Sequence, residues 1–279
     1  MQTLGRENLT EERPGHSGVR TAAIGVAQCH LDDDRDIALS EAWQLLSMDE
    51  TTRARRFHFD RDRTRYVRAR GFLRTLLGKA CGLDPVDLVF ETGAQGKPFL
   101  QNHPLAFNLS HSRDLAVLAL SPSGPLGIDI EFIDRQADIS GLAETCLTPA
   151  ERAVLEGLPK AAQAARFFAF WTAKEARMKL TGEGMSLPPA QIVLDLHNGL
   201  PVGYLHPQTP AAQAVFLDLG HPSALCCLAL ARGVHPVISD FRILSSPFMT
   251  EPVHHVSDKR DDQTLGWHLA GGTGPLGQP

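Results

Sequence analysis

Two segments rich in charged side chains constrain the fold of this chain more than any other feature. Residues 127–131 read Gly-Ile-Asp-Ile-Glu, and residues 171–179 read Trp-Thr-Ala-Lys-Glu-Ala-Arg-Met-Lys. The first segment has the pattern of a strand, so its two acids share one face while its two isoleucines share the other. The second has the pattern of a helix, in which Glu175 and Lys179 share one face. If the two charged faces meet, three carboxylates and a lysine converge.

Three neighbouring carboxylates predict a cation site. Asp129, Glu131 and Glu175 would repel one another unless a cation lies between them, and oxygen ligands without a soft donor favour Mg2+. A Mg2+ ion keeps positions open for substrate phosphates, and Lys179 could donate to the same phosphates. The alternative is a pair of solvent-facing acids on an edge strand and an ordinary ion pair on a wet helix face. Aromatic residues at the start of the helix favour a buried neighbourhood, where a charged pair needs partners.

Composition excludes several classes of protein. The 279 residues carry a formal net charge of -5, which argues against a general nucleic-acid binder. No stretch reaches the roughly 20 uninterrupted apolar residues of a membrane helix. The five cysteines lack zinc spacing, and the polar start lacks a signal-peptide pattern. We therefore expect a cytoplasmic protein with reduced thiols and with neither a nucleic-acid nor a membrane partner.

The apolar periodicity predicts helices followed by several strands, twice along the chain. The two long helical patterns span residues 49–81 and 162–180, and Ser40 and Thr148 are the predicted caps of shorter helices. The predicted fold class is α+β. The predicted divisions are a disordered segment at 1–20, an N-terminal lobe at 21–135, a C-terminal lobe at 136–244 and a disordered tail at 245–279.

Four motifs in order resemble the signatures of the 4'-phosphopantetheinyl transferases of the surfactin-synthetase-activating type. Two are the strand and the helix described above, and the others are Gly96-Lys97-Pro98 and Phe-Asn-Leu-Ser-His-Ser at residues 107–112. The helix is also followed by Gly-Glu-Gly-Met-Ser-Leu-Pro at 182–188, close to the pattern usual in the family. The resemblance covers roughly residues 45–235. It implies two similar α/β lobes related by a pseudo-twofold, with the active site at the lobe interface.

The resemblance also implies a reaction. The family transfers the 4'-phosphopantetheine group from coenzyme A to a serine of an apo acyl or peptidyl carrier protein, depends on Mg2+, and releases adenosine 3',5'-bisphosphate. On this basis Asp129, Glu131 and Glu175 are the implied metal ligands, Glu175 is also the implied base, and Lys179 is the implied phosphate contact. The two-lobed length implies a monomer.

Five further residues are implied to bind coenzyme A. Adjacent residues of an extended segment point apart, so Ser110 and His111 form a poor nucleophile–base pair, and the resemblance makes them phosphate contacts instead. Arginine and lysine match the charge of the phosphates, and the resemblance places Arg53, Arg65 and Lys97 among them. Where the family often has a second lysine before Arg53, this chain has Glu50.

Two other functions remain open at this stage. A Mg-dependent pyrophosphate hydrolase acting on a CoA-like nucleotide could use the same acids on water. A catalytically inactive module that only binds carrier proteins is the other alternative, although a scaffold has no physical need for clustered carboxylates. The sequence leaves open which carrier protein is native and whether acyl-CoA is accepted.

Overall fold

The computed structural model describes residues 20–208 and 210–240. The first half contains β1 (Arg20–His30), α1 (Leu39–Leu45), α2 (Met48–Arg55), α3 (Asp60–Cys81), β2 (Phe90–Thr92), β3 (Pro98–Leu100), β4 (Ala106–Ser112), β5 (Leu115–Ser121) and β6 (Leu126–Phe132). The second half contains α4 (Ile139–Cys146), α5 (Pro149–Glu156), α6 (Lys160–Thr181), β7 (Val193–His197), β8 (Leu200–His206), β9 (Ala212–Leu217), β10 (Ala224–Ala231) and β11 (Val234–Asp240). The segments predicted to be disordered, 1–20 and 245–279, lie outside the described residues apart from Arg20.

Each half of the chain contributes one long helix that covers a sheet. Helices α3 and α6 are both 22 residues long, and each is followed by a glycine, Gly82 and Gly182, at φ 68° and 76°. Only glycine adopts this left-handed conformation at little cost, so the two glycines end the helices where the sequence predicts. The repeated arrangement of helix and sheet confirms the predicted α+β class with two similar lobes.

Four layers follow one another through the structure: helices, sheet, sheet and helices. The first sheet has the strand order β11-β1-β5-β4, and the second has the order β6-β10-β9-β8-β7. Helices α1 and α3 pack on the outer face of the first sheet, and α6 packs on the outer face of the second. The inner faces pack on each other through apolar residues that include Ile24, Val117, Ile128, Ile130 and Leu228. The inner sheet faces therefore form the core between the lobes.

Two strands pair with a sheet built mainly from the other half of the chain. Strand β6 lies in the first half but pairs antiparallel with β10 in the second sheet. Strand β11 returns to the first sheet, where it pairs in parallel with β1 from Arg20↔Val234 to Val26↔Asp240. Each sheet thus contains one strand from the other half of the chain. The division of the chain at residue 135 stays a prediction.

Two local expectations are wrong and two are confirmed. The helical pattern at 49–81 is broken after Arg55, because the chain leaves α2 through a tight turn and α3 begins only at Asp60. Helix α1 begins before Ser40, which therefore does not cap it. Thr148 does cap α5 through the predicted capping box. The cysteines of the described residues are free thiols, as expected, and no described helix is long and apolar enough to cross a membrane.

Removing β11 should destabilise the first sheet. A chain that ends at Arg232 loses the parallel pairing with β1 and the burial of Ile238 against the core between the lobes. We expect its Tm to fall by at least about 5 °C, because roughly 2 kcal/mol shifts Tm by this much in a domain of such size. Calorimetry on this chain and on a control chain that ends at Ser245, which retains β11, measures the difference. Equal Tm values for the two chains would contradict the prediction.

Candidate active site

A direct backbone contact between α6 and β6 forms the floor of the site. Gly127 lies on β6 beneath the helix, and a Cβ atom there would lie 2.1 Å from the carbonyl oxygen of Ala176 and 2.3 Å from the amide nitrogen of Leu180. Any side chain would therefore push the helix away. The glycine of the Gly-Ile-Asp-Ile-Glu strand lets the helix approach closely enough for its charged face to meet the acids of β6.

Asp129 is the buried centre of the site, with 2% of its surface exposed. Its Oδ1 accepts a hydrogen bond from Lys179 Nζ at 2.5 Å and one from Ser110 Oγ at 2.9 Å. Its Oδ2 is buried and has no hydrogen-bond partner among the described residues. Burial raises the pKa of Asp129, while the charge of Lys179 opposes that rise. The carboxyl group therefore has one free oxygen and an incompletely compensated charge.

Glu131 and Glu175 lie close enough to Asp129 for its negative charge to raise their pKa values. Glu131 accepts hydrogen bonds from Ser112 Oγ at 2.9 Å and from Trp171 Nε1 at 3.2 Å. Burial raises the pKa of Glu131, and the charge of Asp129 raises it further. The pKa of Glu175 is likewise raised, first by burial, then by Asp129, and also by Glu131. The three predicted acids and Lys179 are therefore brought together where β6 meets α6.

These side chains are not arranged in the geometry of a metal centre. Among residues 20–208 and 210–240, no three Asp, Glu, His or Cys side chains are arranged to hold an ion. Lys179 places its own positive charge beside Asp129. The chemistry of the donors nevertheless fits Mg2+, because all three acids offer hard oxygen atoms and Oδ2 of Asp129 is buried without a partner. The Mg2+ site remains a prediction.

A ladder of side-chain hydrogen bonds joins the two sheets beside the acids. Strands β4 and β6 are edge strands of different sheets. The Oδ1 atom of Asn108 accepts a hydrogen bond from the amide of Ile128 at 2.8 Å. Ser110 and Ser112, two and four residues further along β4, donate to the two acids of β6. Sequence reasoning missed Asn108 and Ser112, although polar residues at every second position of an apolar strand give a signal for such a ladder.

Ser110 and His111 point to opposite sides of β4, as expected for adjacent strand residues. Ser110 is buried, and its Oγ also accepts from Lys179 Nζ at 2.8 Å. His111 is exposed on the other side, close enough to Lys179 and Arg65 to feel their charge. Partial loss of hydration lowers the pKa of His111 and the two positive charges lower it further, while the charge of Asp129 opposes them. Arg65 forms a bidentate ion pair with Asp32, in which both N–O distances are 2.6 Å.

Lys97 and Arg53 lie in different surroundings. Lys97 Nζ donates to backbone carbonyls at the end of α6 and the start of β6. Arg53 is exposed on α2, with its guanidinium 5.4 Å from the centre of the Tyr66 ring. The contacts found in the described part of the chain do not join Arg53 to the three acids. The coenzyme A contacts of both residues remain predictions.

Two other charged residues near the motifs have structural partners. Glu50 takes part in the capping box of α2 and forms ion pairs with Arg70 and Arg74. The family often has a lysine at this position. The packing of α2 on α3 explains why this chain has Glu50 there. Lys174 is fully buried, with Nζ 2.6 Å from a carboxylate oxygen of Glu151.

A cleft of about 390 Å³ opens at the end of α6, and its lining includes Lys97 but none of the three acids. The hairpin formed by β2 and β3 lines one side of it, and residues 180–182 at the end of α6 line the other. Most of the lining is apolar, with the side chains of Phe99, Leu105 and Phe107 among them. Such a concave surface next to polar groups is typical of a site for a small molecule.

Comparison with known proteins identifies the family. Residues 125–228 match the model described as the 4'-phosphopantetheinyl transferase superfamily, and residues 35–123 match a model described as 4'-phosphopantetheinyl transferase, N-terminal. The chain is 37% identical over 158 residues to the 4'-phosphopantetheinyl transferase HetI of Nostoc sp., an alignment that covers 55% of this chain and 67% of the relative. It is 30% identical over 201 residues to the 4'-phosphopantetheinyl transferase ffp of Bacillus subtilis, with 69% and 88% covered.

The chain belongs to the 4'-phosphopantetheinyl transferase family. This confirms the resemblance drawn from the motifs. The superfamily match contains Asp129, Glu131, Glu175 and Lys179, so the charged cluster lies within the part of the chain shared with the family. A 4'-phosphopantetheinyl transferase of B. subtilis is also similar, with 32% identity over 159 residues that cover 56% of this chain and 70% of the relative.

Replacement of Gly127 by alanine should separate α6 from β6. The added Cβ atom would overlap backbone atoms of α6, which cannot move aside as a flexible side chain can. We expect the free energy of unfolding to fall by about 1–3 kcal/mol, the usual cost of overpacking. Urea denaturation measures it. Gly157→Ala is the control, since a Cβ atom there would meet its nearest neighbour at 3.5 Å. Equal stability of the two variants would show that the close approach of α6 to β6 does not require glycine at position 127.

Loss of the hydrogen bond between Asn108 and the amide of Ile128 should destabilise the contact between the sheets. In Asn108→Ala the buried amide of Ile128 loses its acceptor. An unsatisfied buried donor costs about 1–3 kcal/mol, so we expect a decrease of this size in the free energy of unfolding. Denaturant titration tests it against Gln136→Ala, which removes an exposed amide side chain. The ladder would have no energetic role if both variants unfolded at the same urea concentration.

Proposed function

We propose that this protein transfers the 4'-phosphopantetheine group from coenzyme A to a serine of an apo acyl or peptidyl carrier protein, with release of adenosine 3',5'-bisphosphate. The observation that carries the proposal is the meeting of Asp129, Glu131, Glu175 and Lys179 at the contact between β6 and α6. Membership of the 4'-phosphopantetheinyl transferase family supports the same reaction.

The proposed chemistry is an attack of the serine hydroxyl on the β-phosphorus of coenzyme A. Glu175 is the proposed base that takes the serine proton, since burial and the neighbouring acids raise its pKa toward the range suited to proton transfer. The serine oxygen bonds to phosphorus as the bond to the bridging oxygen breaks, and adenosine 3',5'-bisphosphate leaves with that oxygen. Lys179, already close to the acids, is the proposed stabiliser of the negative charge on the transferred phosphate.

Asp129, Glu131 and Glu175 are the proposed ligands of Mg2+. The unpartnered Oδ2 of Asp129 and the raised pKa values of all three acids support this assignment, because carboxylates crowded together favour either protons or a cation. When bound, Mg2+ would offset the charge that develops on the phosphate oxygens. Lys179, which lies beside these acids, would donate to the same phosphate oxygens.

The remaining assignments concern the surroundings of the reaction. Arg65, Ser110 and His111 are the proposed phosphate contacts, and the charge that Arg65 and Lys179 place around His111 supports an anion site there. Arg53 is proposed to reach the same anion from α2. Because both helix-and-sheet lobes are present in one chain, we also propose that the protein acts as a monomer. The free thiols of the described cysteines support our further proposal that it works in the cytoplasm.

Intact-mass measurement tests the proposed reaction directly. The full chain is incubated with coenzyme A, Mg2+ and a panel of apo fatty-acid, polyketide and peptide carrier proteins. Each carrier that is modified should gain the mass of one phosphopantetheine group, and EDTA should prevent the gain. Release of phosphopantetheine into solution without a carrier adduct would instead indicate a pyrophosphate hydrolase. Carrier binding without either product would indicate an inactive binding module.

Glu175→Gln should separate chemistry from binding. Glutamine keeps the shape of the side chain but can neither accept the serine proton nor supply a negative charge. We expect transfer to slow by at least about a hundredfold, the low end for loss of a general base, while the affinity for the carrier is retained. Rates from mass spectrometry and affinities from calorimetry measure the two effects.

An exposed acid provides the control for this variant. Glu156 lies at the end of α5, and Glu156→Gln should transfer at the wild-type rate. A Glu175→Gln variant that loses carrier affinity and rate in the same proportion would assign Glu175 to the carrier interface instead of the chemistry.

A further inference from the structure

Lys97 lies where the hairpin of the first half meets the end of α6, and backbone carbonyls surround its ammonium group. Nζ donates to the carbonyl oxygens of Leu126 at 2.8 Å, Lys179 at 2.6 Å and Leu180 at 3.1 Å. A lysine ammonium has three N–H groups. Three carbonyl partners are therefore enough to engage all of them.

The three carbonyls belong to two elements that must stay in register for the site to form. Leu126 begins β6, whereas Lys179 and Leu180 lie in the last turn of α6. Carbonyls in the last turn of a helix have no partner within the helix, and a positive charge there is favourable. Lys97 supplies both a charge and donors, and it ties the end of α6 to the start of β6.

The stem of Lys97 lies beside Gly182, the glycine that follows α6. A Cβ atom at Gly182 would lie 3.2 Å from Cβ and 3.3 Å from Cδ of Lys97, so the glycine that ends α6 also leaves room for the stem. Burial lowers the pKa of Lys97 to about 8. The cost of this burial is offset by the three carbonyl oxygens that accept hydrogen bonds from the half-buried ammonium.

We infer that Lys97 is a positioning residue, which fixes the last turn of α6 against β6 and thereby sets the place of Lys179 beside Asp129. Its amino group acts through the backbone of Lys179 and not by gripping a phosphate of coenzyme A. The expected effect on rate rests on the proposed transfer reaction. The expected effect on the end of α6 does not.

Hydrogen exchange on the free full-length chain tests the structural part. In Lys97→Met, which keeps the length of the side chain but removes the donors, amides of residues 178–184 should exchange about tenfold faster or more, the low end for loss of a charged hydrogen bond. The core of α3 should exchange as in the wild type. Lys79→Met is the matched control, since Lys79 is exposed in the last turn of α3. Unchanged exchange at 178–184 would overturn the inference.

Kinetics with two substrates test the functional part. Displacement of Lys179 should lower kcat about tenfold or more with coenzyme A and with dephospho-coenzyme A alike, since small errors in placement are costly to rate. The ratio of the two KM values should stay as in the wild type. A rise in KM confined to coenzyme A, with kcat unchanged, would show that Lys97 grips the 3'-phosphate and would overturn the inference.

A second variant covers the case in which Lys97→Met does not fold. Lys97→Gln keeps a neutral donor of shorter reach, and we expect the same pattern of exchange and kinetics at a smaller size. Wild-type exchange and kcat in this variant would overturn the inference. If the wild-type chain modifies no carrier at all, the proposed function fails, and the exchange experiment still decides the role of Lys97.

Discussion

The contact of α6 with β6 at Gly127 is the constraint on which the site depends. Because Gly127 has no side chain, the helix backbone rests directly on the strand, and Lys179 comes within 2.5 Å of the Asp129 carboxylate. A buried ion pair gains little by itself, since both groups lose their hydration. Here the hydroxyl of Ser110 hydrogen-bonds to both partners and offsets part of that loss. The close approach of two backbones therefore determines the electrostatics of the site.

The polar ladder between β4 and β6 links the stability of the fold to the chemistry of the site. Edge strands leave backbone groups without partners, and here a side chain of β4 satisfies the amide of Ile128 on β6. The serines of the same ladder hold two of the three acids in place. The residues that join the sheets are thus the residues that orient the carboxylates. A change in the packing of the sheets would move the acids with it.

The sequence predicts those parts of the structure that follow from local periodicity. Alternation along β6 correctly separates Ile128 and Ile130, which face the core between the lobes, from Asp129 on the helix side. The four-residue spacing of Glu175 and Lys179 places both on the face of α6 that meets β6. The family could be recognised because these motifs stand in a fixed order.

Other parts depend on contacts between residues far apart in the chain. The break after Arg55 carries neither glycine nor proline, so periodicity alone joins α2 to α3. The return of β11 to the first sheet depends on pairing with β1 across more than 200 residues, and no local pattern encodes it. The carbonyl partners of Lys97 likewise become neighbours only when α6 packs on β6. In the last two cases the deciding partner is absent from the local sequence.

Burial divides the arginines of the first half into two groups that the sequence presents as one. Arg74 is buried and holds Glu50 and the carbonyl oxygens of Pro85 and Leu88, so its charge belongs to the core of the lobe. Arg65 is paired with Asp32, whose side chain is 46% exposed. Ion pairs with this much contact with solvent contribute about 0–1 kcal/mol, so an anionic ligand can replace Asp32 at small cost. The partners that each arginine already has therefore determine whether its charge can bind a phosphate. The number of arginines in the sequence does not determine this.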